Sequence, residues 1–456
     1  EFIYSGILST HLKASYMAIQ SGYEVAPECF CIVEYEDLVA DPKAQLDRIH
    51  EFLDLPDFEY DFTAIDGTSV QEDDEELHGY EGMHDIQPVL AKQHNENPKD
   101  VLKHHYATFC QPEFWLDKPR TTPELHDLDL QLTASKMGNF TEGWRLSQKL
   151  EQEEPNNHRA AYNRGWYLLR QGEIQKGYQL MDRGRIEGVF GNTIPDAPTG
   201  PWDGKTKGTV LLYLEGGLGD QIHQVRYAKA IAAKGCKVVV GCSGSLASLF
   251  VDVEGVSSVA QHEACFGTYH DFYVQGMSAV VPLGFELTDL TGEAYITKPK
   301  TIKGYRKRIG LRWQGQSAFE HEHHKKFPYE LMFEALKDVD AEFISLQRDE
   351  GAEACPEWVE QVPLNTWEDT RQAAASCDLV ISSCTSVSHL SAAMGVETWV
   401  VTPVMPYFLY AQEGDTCPYY DTMKLMRQES FGDWKAPFAR IKKSLNEKKQ
   451  ALRRVK

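Results

Sequence analysis

From residue 200 onward, short apolar runs alternate with apolar stripes at helical spacing. TVLLYL at 209–214, KVVVG at 237–241, IGLRW at 309–313, EFISL at 342–346, LVIS at 379–382 and TWVVT at 398–402 are compact and rich in β-branched residues. Such runs are buried on both faces of a parallel sheet. Between them, Ile222, Val225 and Ile231 predict one helix closed by Gly235. Val387, Leu390 and Met394 predict another that ends on Gly395 as its C′ glycine. Thr366 and Asp369 form a capping box before a helix ending near Ser376. Strand, turn, helix and strand make βαβ units, so the expectation is two linked α/β sheets with a cleft between them. The basic stretch 298–308 is the connection that joins the two.

Upstream the pattern changes. Gly138 and Gly172, Trp144 and Tyr178, and Leu146 and Leu180 are each 34 positions apart. That is the tetratricopeptide period, and Pro155 falls where one repeat would turn into the next. Two degenerate repeats are too few to stand alone and must lean on neighbours. Both an inter-domain spacer and a docking groove for a protein acceptor fit this pattern. Residues 119–123 read as a linker, and 195–204 (PDAPTGPWDG) as a boundary. Nearer the start, residues 31–35 read as a strand. Residues 40–53 read as a helix with apolar residues at Leu46, Ile49 and Leu53, Asp41 as N-cap and Pro42 at the first position. Residues 1–21 read as the middle of a helix, so the chain is expected to begin inside a longer product.

A length of 456 residues with 42% hydrophobic content predicts two to four domains with real cores. The net charge of −22 argues against nucleic acid as a partner, because binding there rests on phosphate neutralisation. No apolar run reaches the length of a membrane span. Ten scattered cysteines, with one Cys-x-Cys at Cys29 and Cys31, fit a reduced, cytoplasmic setting better than a disulfide frame or a zinc site. The acidic run EDDEE at 72–76 reads as a solvated loop.

Two stretches carry candidate chemistry. EGGLGD at 215–220 opens a helix directly after a strand, and its glycines permit a tight turn and close approach of a ligand. The dinucleotide-binding spacing is incomplete, and no acidic residue closes a second strand to hold a ribose. Asp220 sits in the mouth of this loop, where a carboxylate repels a pyrophosphate but accepts a proton from a hydroxyl. Capping the helix is its plain structural alternative. In SSCTSVSH at 382–389, Thr385, Ser386 and Val387 place hydroxyls and free N–H groups at a helix N-terminus, which suits a phosphate. Here too the hydroxyls would serve equally as caps. Asp338 and Asp340 lie at a helix end and read as surface. His321, His323 and His324 read as a polar loop rather than a metal site.

Taken in order, YLEGGLGDQIHQVRYA, RIGLRWQGQ, SLQRDEG, CDLVISSCTSVSHLSAAMG and MRQESFGDW resemble the motifs of bacterial tetratricopeptide-linked glycosyltransferases. That group is similar to family 9 heptosyltransferases and, more distantly, to O-linked N-acetylglucosamine transferases. The resemblance implies a GT-B-like pair of Rossmann-type domains and an inverting, metal-independent transfer, hexosyl or heptosyl, from a nucleotide-diphosphate sugar to a hydroxyl of a glycan or protein. It implies no cofactor and no metal ligand. Asp220 would be the catalytic base, with Gly216, Gly217, Gly219 and His223 in the acceptor loop. Lys325, Lys326, Gln347, Arg348, Thr385, Ser386, Val387 and His389 would face the donor nucleotide and its phosphates. Two departures stand out: Cys384 occupies a position where the family usually has Asp, and EHEHH at 320–324 replaces a Pro- and Arg-rich loop.

A second resemblance covers the start of the chain. VEYEDLVADPKAQLDRIHEFLDLP, GMHDIQPVL and CQPEFW are similar to the C-terminal part of sulfotransferases, whose phosphate cradle has no counterpart here. The expected division is an α/β sulfotransferase-like fragment at 1–118, helical tetratricopeptide-like repeats at 119–194, an acceptor domain at 195–308 and a donor domain at 309–456. Two other functions compete with glycosyl transfer. One is a nucleotide-sugar-binding module without turnover, and the other is part of a bifunctional sulfotransferase.

Overall fold

A computed structural model describes residues 26–56, 127–193, 197–302, 304–315 and 325–454, together with Ile19, Tyr23 and Phe58. The acidic run at 72–76, the tail motifs GMHDIQPVL and CQPEFW, the linker at 119–123 and the histidines His321, His323 and His324 lie outside the described residues. So does the helix expected over 1–21, apart from Ile19. The chain divides into two compact units, residues 1–125 and 126–456.

In the first unit, α1 (Tyr35–Ala40) and α2 (Pro42–Leu53) are helical. The Asp41 carboxylate accepts the Ala44 N–H at 3.1 Å, and Pro42 takes the first position. The cap chemistry is the one written in the sequence. The strand expected at 31–35 is not formed: residues 31–34 are irregular, and Tyr35 opens α1. A β-branched run becomes a strand only beside a ladder partner, and none is present among the described residues of this unit.

In the second unit, α3 (Asp127–Lys136) pairs with α4 (Phe140–Glu153), and α5 (His158–Arg170) pairs with α6 (Ile174–Met181). Each pair turns on a glycine in the left-handed region, Gly138 at φ +82° and Gly172 at φ +85°. The 34-residue spacing therefore marks two equivalent helix turns.

Next comes a parallel five-stranded sheet in the order β1-β5-β2-β3-β4. Its strands are β1 (Gly200–Pro201), β2 (Thr209–Tyr213), β3 (Lys237–Cys242), β4 (Val256–Gln261) and β5 (Phe272–Gln275). A seven-stranded sheet follows in the order β11-β12-β10-β9-β6-β7-β8. It comprises β6 (Arg308–Arg312), β7 (Glu342–Ser345), β8 (Glu360–Gln361), β9 (Leu379–Ser383), β10 (Thr398–Thr402), β11 (Thr416–Cys417) and β12 (Tyr420–Arg427). Only the β11–β12 pair is antiparallel. The protein is thus mixed α/β with two parallel-dominated sheets, as the apolar runs predict. The order of the parallel strands switches beside β2 in the first sheet and between β6 and β9 in the second, and such switch points place loops at the strand carboxyl ends.

The expected single helix after β2 is two, α7 (Leu218–Gln224) and α8 (Tyr227–Ala233). The Ala228 N–H bonds the Val225 carbonyl, so the ladder tightens to three residues at the break. Farther on, α9 (Tyr329–Leu336), α10 (Trp367–Ser376), α11 (Ser386–Ala393) and α12 (Lys435–Arg454) complete the helices of two turns or more. The reciprocal Thr366–Asp369 capping box forms at 3.1 and 2.8 Å. Gly395, at φ +73°, closes α11 with the paired bonds Gly395 N–H to Ala392 and Val396 N–H to Ser391.

One continuous apolar core runs from α5 and α6 through the first sheet and onto one face of the second. A buried ion pair stitches the helical arm to that first sheet. Glu215, fully buried after β2, receives the Arg185 guanidinium in a fork, and also the Asn192 N–H at 2.7 Å and the Met277 N–H at 3.2 Å. Removing one partner of such a pair leaves a buried charge uncompensated. Arg185→Leu is expected to lower unfolding free energy by about 3–5 kcal/mol in urea titration. A loss below about 1 kcal/mol would show that the pair behaves as a surface bridge.

Candidate active site

Both candidate stretches sit at strand carboxyl ends, and the fold presses them together. β2 runs into the glycine loop, where Gly216 at φ +73° makes the turn. A Cβ at Gly216 would lie 2.8 Å from the Asp220 Oδ2 atom, so only glycine leaves the carboxylate its place. The Gly217 N–H donates to Asp220 Oδ2 at 2.9 Å. Gly217 has no side chain to return the bond, so this is half a capping box.

β9 runs into Cys384 and Thr385, and Ser386 begins α11. The Thr385 hydroxyl does not cap that helix. It lies 3.2 Å from the Ser382 hydroxyl and donates to the Ser383 carbonyl at 3.4 Å. The first-turn N–H groups of Ser386 and Val387 therefore receive no side-chain cap.

Gly219 joins the two stretches. A Cβ there would fall 3.1 Å from the Ser386 Cα and 3.0 Å from the His389 ring. The close approach that this glycine permits is taken by α11. Asp220 is then bridged to the second sheet directly: the Tyr407 hydroxyl, in the segment after β10, donates to Asp220 Oδ1 at 2.6 Å. Burial pushes the Asp220 carboxyl above its ordinary range, while the Tyr407 and Gly217 bonds and the Lys325 charge pull the other way. A raised carboxyl is better matched to proton abstraction near neutral pH than an ordinary one.

Lys325 donates to the Cys384 carbonyl at 3.1 Å, which places its ammonium beside the uncapped end of α11. Lys326 is exposed. Gln347 and Arg348 do local work. The buried Gln347 amide accepts the Trp313 and Gln314 N–H groups at 3.2 and 3.1 Å and donates to the Gln314 and Glu350 carbonyls, stapling the loops after β6 and β7. Arg348 lies over the Trp367 ring at 5.5 Å and donates to the Asn365 carbonyl.

His223 and His389 come together around a tyrosine. The Tyr420 hydroxyl is 3.0 Å from His389 Nδ1, 3.3 Å from His223 Nδ1 and 3.2 Å from the Tyr295 hydroxyl. His389 stacks on Tyr410, and its Nε2 is 3.3 Å from that hydroxyl. Arg226 lies over the rings of Tyr295 and Tyr420 at 4.5 and 4.7 Å and donates to the Tyr419 carbonyl at 2.6 Å. Where the sequence pattern suggests a cleft, this part of the boundary between the sheets is filled. Burial holds both imidazoles neutral, His389 at a pKa of about 3 and His223 well below its ordinary range, with the Arg226 charge acting in the same direction. Sequence reasoning missed Tyr407, Tyr410, Tyr420 and Arg226. The aromatic residues in PYFLY and CPYY were the available signal.

With this geometry in view, the similarities to known proteins are these. The sulfotransferase family profile matches residues 4–60. No curated protein sequence matches the chain. Among solved structures, the glycosyl transferase family 9 protein of Veillonella parvula is similar at 10% identity over 50% of this chain and 88% of its own, with a TM-score of 0.38. The E. coli ADP-heptose lipopolysaccharide heptosyltransferase II is similar at 11% identity over 53% and 99%, with a TM-score of 0.37. The Thermobaculum terrenum O-GlcNAc transferase is similar at 11% identity over 70% and 92%, with a TM-score of 0.25.

The buried histidines make the unit acid-sensitive in a stated direction. Their folded pKa values lie below the unfolded value near 6.5, so they contribute stability above it that is lost as pH falls below it, in the case of His389 towards about 3. Each should contribute a slope of up to about 1.4 kcal/mol per pH unit in that window. Melting temperature measured across pH 7 to 4 is expected to fall more steeply for the parent chain than for His389→Gln. Parallel curves would place His389 in contact with solvent.

Proposed function

We propose that residues 126–456 transfer a sugar, hexosyl or heptosyl, from a nucleotide-diphosphate donor to a hydroxyl acceptor, with inversion and without a metal. The observation that carries this reading is the contact of α7 with α11, in which Gly219, next to Asp220, packs on the uncapped first turn at Ser386. The sequence motifs point to the same chemistry. The acceptor is a glycan or protein hydroxyl, and the expected setting is cytoplasmic.

In this mechanism the acceptor hydroxyl gives its proton to the Asp220 carboxylate as its oxygen bonds to the anomeric carbon. The bond from that carbon to the phosphate oxygen breaks, and its electron pair leaves with the nucleoside diphosphate. The new charge is received by the Ser386 and Val387 N–H groups, the Thr385 hydroxyl and the Lys325 ammonium. A well-placed donor of this kind contributes on the order of 3 kcal/mol to the transition state.

Cys384, in place of the Asp usual in the resembling family, favours a second reading in which the unit binds a nucleotide sugar without turning it over. Hydrolysis of UDP- and GDP-sugars, measured alongside binding, separates the two. The match at residues 4–60 adds a third reading, in which the first unit is part of a bifunctional sulfotransferase whose donor-binding half is not in this sequence.

UDP or GDP is expected to raise the melting temperature, because a ligand bound only by the native state stabilises it by mass action. Thr385→Val with Ser386→Ala should weaken that binding by about 1–3 kcal/mol in calorimetry. Stabilisation by phosphoadenosine phosphate and by neither nucleoside diphosphate would move ligand binding to the sulfotransferase-like segment and overturn the reading.

Asp220 has its own test. In Asp220→Asn the amide oxygen still accepts the Gly217 N–H and the amide nitrogen donates to Tyr407, so stability should move by less than about 1 kcal/mol. Turnover should fall by about 10²–10⁴ with donor binding intact. Asp220→Ala should lose both turnover and about 1 kcal/mol of stability. An Asn variant with full turnover removes Asp220 from the chemistry.

A further inference from the structure

Asp220 is held by two bonds from two directions. The Gly217 N–H anchors Oδ2 from the same loop, which leaves the carboxylate free to turn about that one contact. The Tyr407 hydroxyl anchors Oδ1 from the second sheet, and two fixed oxygens leave a single orientation.

Tyr407 is itself fixed from the helical arm. Immediately before it, the Pro406 carbonyl accepts the Trp166 indole N–H at 3.1 Å. Beyond it, the Ala411 carbonyl accepts from Arg170 at 3.2 Å. Between these bonds, Phe408 stands edge-on to Tyr178 at 5.8 Å and to Phe190 at 5.7 Å. Trp166 and Arg170 lie on α5, and Tyr178 lies on α6.

We propose that Tyr407 is the positioning residue of this site, orienting the Asp220 carboxylate towards the first turn of α11, and that the helical arm holds Tyr407 in register. The proposal rests on the reading of Asp220 as the base. It gives the arm a part in turnover that neither a spacer nor a docking groove would have.

Tyr407, from the segment after β10, acts on Asp220 through its hydrogen bond, and the charges of Lys325 before α9 and Glu215 after β2 bear on it. The buried Tyr410 is coupled to it electrostatically. His389 on α11 is neutral. The Tyr407 hydroxyl favours the charged carboxylate, so its removal raises the carboxyl's midpoint.

The test is Tyr407→Phe in the full chain, which keeps the ring packed on Phe408. The melting-temperature difference between Asp220 and Asp220→Asn, followed against pH, reports the carboxyl's titration without any substrate. In the Tyr407→Phe background its midpoint is expected to rise by about one pH unit. Hydrolysis of the UDP- or GDP-sugar that binds should fall about tenfold in kcat at pH 7 with KM little changed, and should recover in part at higher pH. Trp166→Phe removes the indole bond to Pro406 together with part of the ring that packs on Phe140 and Tyr167. It should move the midpoint the same way by a smaller step, and it serves as the test if Tyr407→Phe does not fold. An unmoved midpoint, with Asp220→Asn still inactive, overturns the positioning role and leaves the glycosyl-transfer reading standing. Full turnover by Asp220→Asn removes the base, and with it the positioning role, whatever the midpoint does.

Discussion

Two helix N-termini from different sheets can share one small volume only where the backbone of one is bare. Gly219 supplies that bare backbone, and Ser386 Cα and the His389 ring occupy the space a side chain would fill. From this contact follow the pairing of α7 with α11, the reach of Tyr407 to Asp220 and the place of Lys325 beside the same helix end. The contact also sets positive charge against negative. Uncapped N–H groups and an ammonium face a carboxylate that burial has made more basic.

Such a junction needs support, because it buries polar groups. His223, His389, Tyr295 and Tyr420 satisfy one another, and Arg226 spreads its charge over tyrosine rings rather than a carboxylate. Neutral imidazoles suit this setting, since a protonated ring would meet Arg226 in a poorly hydrated space. The two sheets therefore meet through a packed aromatic layer. Relative motion of two domains is the default only across small polar interfaces. Parting these sheets would expose apolar surface and break the tyrosine–histidine bonds.

The helical arm braces the junction from outside. It reaches the first sheet through Arg185 and Glu215, and through Gln175, which donates to the Val280 and Phe285 carbonyls at 2.7 and 2.9 Å. It reaches the second sheet through Trp166, Arg170 and the Tyr178–Tyr419 hydroxyl pair at 2.9 Å. Two helix pairs cannot bury their own faces, and here the neighbours that complete them are the two sheets.

Local features were legible in the sequence because their causes lie within a few residues. The six apolar runs became β2, β3, β6, β7, β9 and β10, the Asp41 and Thr366 caps formed, and Gly395 ended its helix. The missing strand at 31–34 and the break between α7 and α8 were not legible, since a strand needs a partner and a helix end answers to its packing. β4 and β12 escaped for a related reason: β4 has only exposed and half-buried positions, β12 mixes exposed and buried ones, and neither carries a continuous apolar run. The candidate site divides along the same line. Asp220 and the turn at 385–387 stand out from composition and position alone. Their contact, the tyrosine that holds Asp220 from 187 residues away and the burial of His223, His389 and Gln347 were decided by the way the two sheets pack, which no short stretch encodes.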